Sequence, residues 1–426
     1  MAAMSATETM TRPAEPDDRQ ATVRHQQFVT RLAQTGRLSA PGLLAAFRAV
    51  PRHRFLPDLP LNEVYQDRAI ATKHCDGLLV SSSSQPTMMA LMLAQLDVRP
   101  GQRVLEIGAG TGYNAALLAE LVGQHGQVTT VEYDADLATA ARDRLHHLGY
   151  DNIEVVAADG IHGYEAAAPF DRILLSVAAD DLAPAWREQL QPQGWLVLPL
   201  ILTAGLQLSV AFQGQGNVWR SRSLIPCSFM SLRGAAVGAI AAPAITAAPG
   251  CKLRTSQCLP LDTATLMAWL AAPEHCEPLG LWVTRTELVS GLRLWLALGD
   301  RRFGELLAEP GAAEPVLPPT LGAWGRSYGL VDHGGLAMLV RQALPSVPAD
   351  AEAAAELVVV GVGPERAIAT ALADQVRAWH HSGRPTVSDW HVRAYPAPDA
   401  CPSDPDTLVL ARPWTHLCLS HSTSSV

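Results

Sequence analysis

The chain has 426 residues, of which 48% are hydrophobic and 17% charged, a composition typical of a globular protein long enough for two domains. Its formal net charge is −9, and Lys73 and Lys252 are its only lysines. Because nucleic-acid binding depends on Lys and Arg neutralising phosphates, the composition argues against nucleic acid as a partner.

Seven cysteines, an odd number without a CxxC pair, predict neither a disulfide framework nor a zinc site. We therefore expect reduced thiols and a cytoplasmic protein. Residues 1–20 lack the basic and apolar regions of a signal peptide and predict a disordered tail. The most apolar run, residues 194–202, is too short to cross a bilayer, so no membrane partner is expected.

The first predicted elements are two helices between Val23 and Val50. Apolar side chains recur there at helical spacing, with breaks at Gly36 and at Pro41. The Pro-punctuated segment that follows, as far as Ile70, predicts irregular structure.

Strands and helices alternate in the next hundred residues. Short apolar runs predict strands at 103–108, 127–134, 153–160, 170–179 and 194–200, and helical periods predict helices at 114–123 and 136–149. Strands separated by helices pair in parallel with crossover connections, which predicts a doubly wound α/β sheet.

The composition changes after Gly234. Residues 234–250 are rich in Ala, Gly and Pro and indicate a boundary between two domains. Beyond it we expect strands at 355–363 and 390–396 and an amphipathic helix at 365–383, which indicate an α/β or α+β domain. The sequence does not predict the topology of this domain. The expected organisation is a tail at 1–20, a catalytic domain at 21–234 and an accessory domain at 235–426.

The strongest motif is "VLEIGAGTGY", in which a strand is followed by Gly108, Gly110 and Gly112 and then by a helix. Glycines permit a tight turn and let a ligand approach the backbone. The spacing is not the GxGxxG of dinucleotide sites, and there is no P-loop lysine. Glu106 at the head of the loop would repel a pyrophosphate, so it favours a cationic ligand.

Two further acids stand at the ends of the next two strands. Glu132, at a spacing of about 20 residues, suits ribose hydroxyls. Asp159, just before Gly160, suits an adenine edge. Together with Glu106 they predict a site for S-adenosylmethionine, which carries a sulfonium and an ammonium group, with S-adenosyl-L-homocysteine as its product. The alternative is that Glu132 and Asp159 merely cap helices.

At this point the chain resembles a known family. The segments "VPRHRFLP", "YQDRAI", "SQP", "LEIGAGTGY", "VEYD", "ADGIHGYEAAAPFDRILLSVAA" and "QLQPQGWLVLPL" are similar, in order, to the signatures of protein-L-isoaspartate O-methyltransferases over roughly residues 25–200. The resemblance implies a doubly wound, mostly parallel, seven-stranded methyltransferase sheet. It also implies S-adenosylmethionine as cofactor, no metal, and methyl transfer to a peptide carboxylate.

More narrowly, "SSSSQP", "GYNAALLAELVG" and the long C-terminal extension resemble variants found with the biosynthesis of ribosomal peptides of the lanthipeptide, lasso and graspetide types. Those variants form a methyl ester on an Asp of a modified precursor peptide. The ester leads to an aspartimide (succinimide) or to isoaspartate.

The resemblance also implies site residues. It makes Ser84, directly before Gln85 and Pro86, the catalytic residue near the transferring methyl, although serine runs are otherwise typical of linkers. A carboxylate with a pKa of about 4 is already ionised at pH 7, so an orienting hydroxyl suffices and no strong base is needed. The implied cofactor-binding residues are Glu106, Gly108, Ala109, Gly110, Gly112, Tyr113, Glu132, Tyr133, Asp159 and Gly160. The implied substrate residues are Ser83, Tyr65 and Asp67, and for the last two a structural capping role is an equal alternative.

The segment "AIATKHCDGLLVSSSS" departs from the family pattern, because it is longer than usual and lacks Gly-Gln-Thr. We expect a rebuilt loop that faces the substrate. His74 and Cys75 lie in it, but adjacent residues cannot readily face each other, so we expect no catalytic dyad.

The leading functional expectation is an S-adenosylmethionine-dependent O-methyltransferase that acts on an Asp side chain of a cyclised precursor peptide, which the accessory domain recognises. The extension and the altered loop favour it. The alternative within the same class is a general repair enzyme for isoaspartyl proteins. The alternative from another class is an inactive peptide-binding protein with the same fold.

Overall fold

The computed structural model describes residues 18–203, 205–234, 244–248, 250–271, 275–308, 326–342, 354–399, 401 and 407–421. These residues form two compact units, the first reaching Ser176 and including Gln189–Gln191, the second made of the remainder. Most of the expected tail (1–17) and of the expected boundary segment (235–243) lie outside the described residues.

The first unit begins with the two predicted helices, α1 (Asp18–Gln34) and α2 (Leu43–Ala49). Gly42, with φ of 79°, precedes α2 and lets the chain turn into it. A 3₁₀ turn (Arg52–Phe55) and a short helix α3 (Leu61–Val64) follow. Proline fixes φ and removes a backbone donor, which keeps these pieces short, as the Pro-rich pattern predicts.

The segment expected to be a rebuilt loop forms an antiparallel hairpin, β1 (Ile70–Cys75) and β2 (Leu78–Ser83). Asp76 and Gly77 make its two-residue turn, with φ of 50° and 77°. Asp-Gly favours this type of turn because both positions need positive φ. Ser81, Ser82 and Ser83 therefore end β2, Ser84 follows them two residues before α4, and the run is not a linker.

The core of the first unit is a parallel sheet of β3 (Arg103–Ile107), β4 (Gln127–Glu132), β5 (Ile153–Ala157) and β6 (Phe170–Leu175), in the order β6-β3-β4-β5. Its helices are α4 (Pro86–Leu96), α5 (Tyr113–Val122) and α6 (Ala135–His147), with 3₁₀ turns at Gly160–His162 and Glu165–Ala167. The predicted doubly wound arrangement is confirmed. The strand order reverses at β3, and ligands bind at such a switch point, at the carboxyl ends of the strands.

The second unit contains α7 (Pro184–Glu188) and most of β7 (Leu190–Thr203), followed by β8 (Leu206–Gln215) and β9 (Val218–Cys227). Three strands from the chain's end, β17 (Trp390–Pro396), β18 (Leu408–Ala411) and β19 (Thr415–His421), join them in the antiparallel order β18-β19-β17-β9-β8-β7. The predicted strands at 194–200 and 390–396 are confirmed. The strands β3 to β6 pair in parallel and β7 to β9 in antiparallel fashion, so both kinds of pairing occur.

A second antiparallel sheet has the order β10-β11-β13-β14-β15-β16-β12. Its strands are β10 (Ala244–Ala248), β11 (Cys251–Thr255), β12 (His275–Val283), β13 (Phe303–Ala308), β14 (Arg326–Val331), β15 (Leu336–Gln342) and β16 (Ala355–Val362). The helices are α8 (Thr263–Leu270), α9 (Arg285–Glu287), a π turn (Leu288–Leu292), α10 (Arg293–Gly299) and α11 (Ala367–His381), with a 3₁₀ turn at Val387–Asp389. Leu266 and Trp269 of α8 pack with Leu253 and Leu306 of the sheet in one buried cluster. The expected additional α+β domain is confirmed.

The structure joins Cys401 to Cys418 in a disulfide, with Cα atoms 6.5 Å apart, so the expectation of reduced thiols is wrong for this pair. The spacing rule failed because Cys418 lies in β19, opposite Arg393 of β17 and Val409 of β18, while Cys401 lies outside the strands, so no local motif marks the pair. The described free cysteines include Cys251, which is buried, and Cys258, which is exposed. None of the described helices has the length and apolarity needed to span a membrane.

Candidate active site

The glycine loop leaves the carboxyl end of β3 and leads into α5. Gly108, Gly110 and Gly112 have φ of 101°, 52° and 84°, values that side chains strongly disfavour. The Gly108 backbone N–H donates to the Val131 carbonyl at 2.8 Å and joins the loop to β4. A strand, a positive-φ turn and a helix N-terminus thus surround one concave stretch of backbone.

Glu106 lies beneath this loop and is completely buried. Its Oε1 accepts hydrogen bonds from Asn114 Nδ2 (2.8 Å) and Ser176 Oγ (3.0 Å), and its Oε2 accepts one from Thr130 Oγ1 (2.7 Å). Burial raises the pKa of Glu106 to about 7, against the opposing effect of these hydrogen bonds. Among the described residues, the buried Oδ1 of Asn114 has no hydrogen-bond partner. A buried carboxylate beside an unsatisfied acceptor suits a cationic, hydrogen-donating group.

The two other acidic strand ends bind backbone amides. Glu132 accepts from the N–H groups of Gly110 (2.9 Å) and Asp134 (3.1 Å). Asp159 accepts from the Ile161 N–H at 3.0 Å and caps the turn that begins at Gly160. Asp159 therefore does what the capping alternative describes, whereas α6 is capped by Asp134 and Glu132 ties the end of β4 to the glycine loop. Their contact with a nucleoside stays a prediction.

The remaining residues that the resemblance implies for cofactor binding differ in how far their side chains are buried. Ala109 and Tyr113 are buried, and the Tyr113 ring packs against Phe55 with centroids 5.4 Å apart, so its backbone alone faces the loop. Tyr133 is 50% exposed. A Cβ at Gly160 would lie 2.4 Å from Ile107 Cγ2, which leaves no space for a larger residue beneath the end of β3.

These residues fit S-adenosylmethionine on the chemistry of their donors and acceptors. Glu106 and Asn114 offer negative charge and an open acceptor for an ammonium group, and the glycine loop offers backbone without side chains. The described residues include no cluster of three or more His, Cys, Asp or Glu side chains placed to hold a metal.

The serine run lies beside the glycine loop. A Cβ on Gly110 would be 3.8 Å from the Ser82 carbonyl oxygen and 3.9 Å from Ser81 Oγ. Ser81 Oγ accepts from Thr72 Oγ1 at 2.8 Å, and Ser83 is buried. Ser84 is half-buried, and within the described part of the chain its hydroxyl makes no hydrogen bond. It is therefore free to hold a ligand.

Arg52 positions this serine, and sequence reasoning missed it. The side chain is completely buried. It donates to the carbonyl oxygens of Ser84 (3.0 Å) and Ser83 (3.4 Å), to Ser83 Oγ (3.3 Å), and to the carbonyl oxygens of Val64 (3.1 Å), Gln66 (3.0 Å) and Arg68 (3.3 Å). Desolvation lowers the pKa of the guanidinium. Arg52 lies in "VPRHRFLP", one of the segments that carry the family resemblance, but the resemblance did not assign this arginine a role.

The two other implied substrate residues support the same segment. The Asp67 carboxylate accepts from Thr87 N–H (2.9 Å), Thr87 Oγ1 (2.8 Å) and Gln85 Nε2 (3.1 Å), and so caps α4. Tyr65 is buried, and its hydroxyl hydrogen-bonds His53 Nδ1 at 2.6 Å. For Asp67 the structure matches the capping alternative.

Lys73 anchors the hairpin to the first acidic residue after β4. Its Nζ donates to Asp134 Oδ2 at 2.8 Å, and this ion pair raises the pKa of Lys73 and lowers that of Asp134. The neighbouring His74 and Cys75 lie in β1, where consecutive side chains point to opposite faces. This geometry supports the expectation that they form no dyad.

Comparisons with known proteins agree with this geometry. The family model described as Protein-L-isoaspartate(D-aspartate) O-methyltransferase (PCMT) matches residues 23–236. Protein-L-isoaspartate O-methyltransferase 2 of Archaeoglobus fulgidus is 40% identical over 211 residues, which cover 50% of this chain and 93% of the relative. The Protein-L-isoaspartate O-methyltransferase of Methanopyrus kandleri is 36% identical over 219 residues, which cover 51% of this chain and 95% of the relative.

Among solved structures, a protein-L-isoaspartate O-methyltransferase aligns with a TM-score of 0.48 and 21% identity over 87% of this chain and 96% of the other. A putative protein-L-isoaspartate O-methyltransferase from Plasmodium falciparum, in complex with S-adenosyl-L-homocysteine, aligns with a TM-score of 0.43 and 20% identity over 49% and 98%. The family match ends at residue 236 and leaves the rest of the chain beyond it. On the matched half, the chain belongs to the protein-L-isoaspartate O-methyltransferase family, whose members are S-adenosylmethionine-dependent carboxyl O-methyltransferases.

Proposed function

We propose that this protein transfers the methyl group of S-adenosylmethionine to the carboxylate of an L-isoaspartyl residue in a peptide or protein. The observation that carries the proposal is the hydroxyl of Ser84, which has no hydrogen-bond partner among the described residues. Ser84 ends the serine run whose Ser81 and Ser82 lie beside Gly110, and buried Arg52 holds its backbone. The names of the curated relatives support the isoaspartyl substrate.

The chain's residues have three tasks in this reaction. S-adenosylmethionine supplies an electrophilic methyl group on a sulfonium. Glu106, Asn114 and the glycine loop bind and orient the positively charged donor. Ser84 donates one hydrogen bond to the substrate carboxylate, which keeps one lone pair directed at the methyl carbon. No proton has to be removed, because the carboxylate is ionised at pH 7.

Positioning can supply most of the rate. Holding two reactants in line contributes about 7–11 kcal/mol when a bimolecular step becomes effectively unimolecular. Water exclusion adds to this, because carboxylate and sulfonium neutralise each other on the way to the transition state and gain from a low dielectric.

The ester then reacts without further help from the protein. The neighbouring backbone nitrogen attacks the ester carbonyl, methanol leaves with the proton lost by that nitrogen, and a succinimide forms. Water opens the succinimide to aspartate or isoaspartate. This sequence is common to repair and to biosynthesis, so the substrate distinguishes the two.

A second candidate substrate is an Asp side chain in a modified, cyclised ribosomal precursor peptide. Two observations favour it. Residues 237–426 extend beyond the family match, and the hairpin carries exposed Leu78 (71%) and Leu79 (44%) near its turn. In this reading the second unit recognises the precursor peptide. The curated relatives support the isoaspartyl reading more strongly.

The test is methyl incorporation from labelled S-adenosylmethionine into three peptides of one sequence: linear isoaspartyl, linear aspartyl, and cyclised aspartyl. We expect the isoaspartyl peptide to be methylated and the linear aspartyl peptide to stay unlabelled. Labelling of the cyclised aspartyl peptide alone would replace the first proposal by the second. Labelling of none, with S-adenosylmethionine bound, would contradict both.

A further inference from the structure

A cluster of basic side chains lies on one face of the seven-stranded sheet of the second unit. In the register of β11, β13 and β14, Glu305 stands opposite Arg254 on one side and Tyr328 on the other. Cross-strand partners share a face, and so do residues two apart in one strand. Lys252 and Arg326 therefore belong to the same face. The opposite face carries Leu306 and packs against α8.

Three guanidinium groups converge on the Glu305 carboxylate. Arg293 Nη2, from α10, lies 3.4 Å from Oε1, and the Arg293 guanidinium lies 5.1 Å from the centroid of the Tyr328 ring. Arg326 Nη1 lies 3.5 Å from Oε1, and Arg254 Nη1 lies 3.8 Å from Oε2. Arg293 also donates to the Gly205 carbonyl. We call Lys252, Arg254, Arg293 and Arg326, grouped around Glu305, the basic face.

The hydrogen-bonding capacity of this cluster is not used up within the described residues. Glu305 is 1% exposed, yet neither of its carboxylate oxygens has a hydrogen-bond partner there, and Arg293 Nε has none either. The three ion-pair distances exceed the roughly 2.7–2.9 Å of a charge-assisted hydrogen bond. A carboxylate only accepts hydrogen bonds, so the open donor of the cluster is Arg293 Nε. Glu305 can neutralise only one of the three guanidinium charges, which leaves an excess of positive charge on this face.

The excess charge favours an anionic ligand. Three guanidinium groups lie within 3.8 Å of one carboxylate, and Lys252 lies on the same face of the sheet, in a chain whose net charge is −9 and which has two lysines. The side chains of Arg254 and Arg326 are 40% and 45% exposed, and Lys252 is exposed, so they can reach a ligand. The buried Glu305 and Arg293 hold the base of the site. The planar fork of arginine matches a carboxylate with two parallel hydrogen bonds.

We propose that the basic face binds the carboxylates of an acidic peptide segment. The inference rests on the proposed function in one respect, namely that the substrate is a peptide, and it assigns the second unit a role in binding that peptide. A short acidic segment needs only these few cations, whereas a long polyanion such as nucleic acid would also meet the repulsion of a negatively charged protein.

Fluorescence anisotropy with the full chain tests the proposal. The probes are a labelled peptide with several aspartates and the same peptide with asparagines. The test variant is Arg254→Gln with Arg326→Gln, which leaves the buried pair intact. The matched control is Arg285→Gln with Arg366→Gln, two exposed arginines near β12 and β16 at the other end of the sheet.

We expect the Kd of the aspartate peptide to rise about tenfold or more in the test variant, since hydrogen bonds to charged groups are lost. The control should change it less than about twofold, as is usual for surface charges. The asparagine peptide should bind weakly to every variant. Equal affinities of the two variants for the aspartate peptide would overturn the proposal. So would tighter binding of single-stranded DNA than of the aspartate peptide at the same salt concentration.

Methyl transfer separates this inference from the proposed function. The test variant should keep the wild-type kcat and KM for a short isoaspartyl peptide without acidic residues. It should raise KM for the same peptide extended by the aspartate segment. Arginine-dependent peptide binding without any methyl transfer would contradict the proposed function alone. Methyl transfer with arginine-independent binding would contradict this inference alone. Unchanged thermal melting of the variants confirms that both are folded.

Discussion

The Arg52 guanidinium donates a hydrogen bond of 3.0 Å to the Ser84 carbonyl, so a fully buried cation fixes the backbone of the residue proposed to orient the substrate. Five further hydrogen bonds tie the same guanidinium to Ser83 and to residues 64–68, at the end of α3 and just after it. One buried charge therefore joins the 3₁₀ turn that carries Arg52 to Ser84, which lies 32 residues further along the chain.

Arg52→Lys should lower kcat while leaving the affinity for S-adenosylmethionine unchanged, because Arg52 acts through the position of Ser84. A lysine keeps the charge but has no planar fork, so several carbonyls lose their donor. We expect the free energy of unfolding to fall by about 2 kcal/mol. Urea unfolding and steady-state kinetics measure the two effects. Arg68→Lys, at an exposed arginine, is the control and should change neither. A wild-type kcat in Arg52→Lys would show that Arg52 does not position the site.

Ser84→Ala should reduce kcat about 10- to 100-fold, since one hydrogen bond to a charged group is lost in the transition state. The Kd for S-adenosylmethionine should stay within about twofold, as the hydroxyl is assigned to the substrate. Ser82→Ala, in the same run, should behave as wild type. If both alanine variants turned over at the wild-type rate, Ser84 would not be the orienting group.

Glu106 gives the protein a pH dependence of known sign. Burial raises its pKa from 4.5 to about 7. The folded state then holds a proton that the unfolded state has lost, so this carboxyl makes stability fall as pH rises from 4.5 to 7, by up to about 3 kcal/mol. Glu106→Gln should flatten that part of the stability curve. Chemical denaturation at pH 5 and pH 8 checks the difference.

The same carboxyl should couple cofactor binding to pH. A cationic ligand favours the ionised form of Glu106, so the Kd for S-adenosylmethionine should fall between pH 6 and pH 8 with release of a proton. Calorimetry in two buffers of different ionisation enthalpy measures that proton. Glu106→Gln should show a flat profile, and parallel profiles for the two proteins would contradict the assignment. Glu63→Gln, at an exposed position, serves as the control.

Gly160→Ala should weaken both stability and cofactor binding. The added methyl would lie 2.4 Å from Ile107 Cγ2, which forces the end of β3 or the capping turn to shift. Such overpacking costs about 1–3 kcal/mol. Gly299→Ala is the matched control, because the nearest neighbour of its added Cβ is at an ordinary 3.7 Å. Equal melting temperatures for the two variants would show that the turn accommodates the added methyl group and would contradict this prediction.

The parts of the fold that the sequence predicts depend on local patterns. The strand ending at Ile107, the loop from Gly108 to Gly112 and the helix that follows are contiguous, so periodicity and glycine spacing predict them. The hairpin could have been predicted as well, because Asp76 and Gly77 between β-rich runs are its usual signal. The expectation of a rebuilt loop came from comparison with the shorter segment usual in the family.

The features that the sequence did not predict depend on distant residues. The four cations of the basic face are spread from Lys252 to Arg326, and the register of three strands and one helix brings them together. The disulfide likewise joins Cys418, in β19, to Cys401, which lies outside the strands and 17 residues earlier in the chain. The spacing of these residues along the chain does not indicate that they are neighbours in the fold.

The most direct measurement is calorimetric titration of the full chain with S-adenosylmethionine and with S-adenosyl-L-homocysteine. The glycine loop above buried Glu106 should bind one molecule of either ligand per chain, and Glu106→Gln should bind the cationic donor more weakly at pH 8. Absence of binding by the folded wild-type protein would contradict the central claim that these residues form a methyl-donor site.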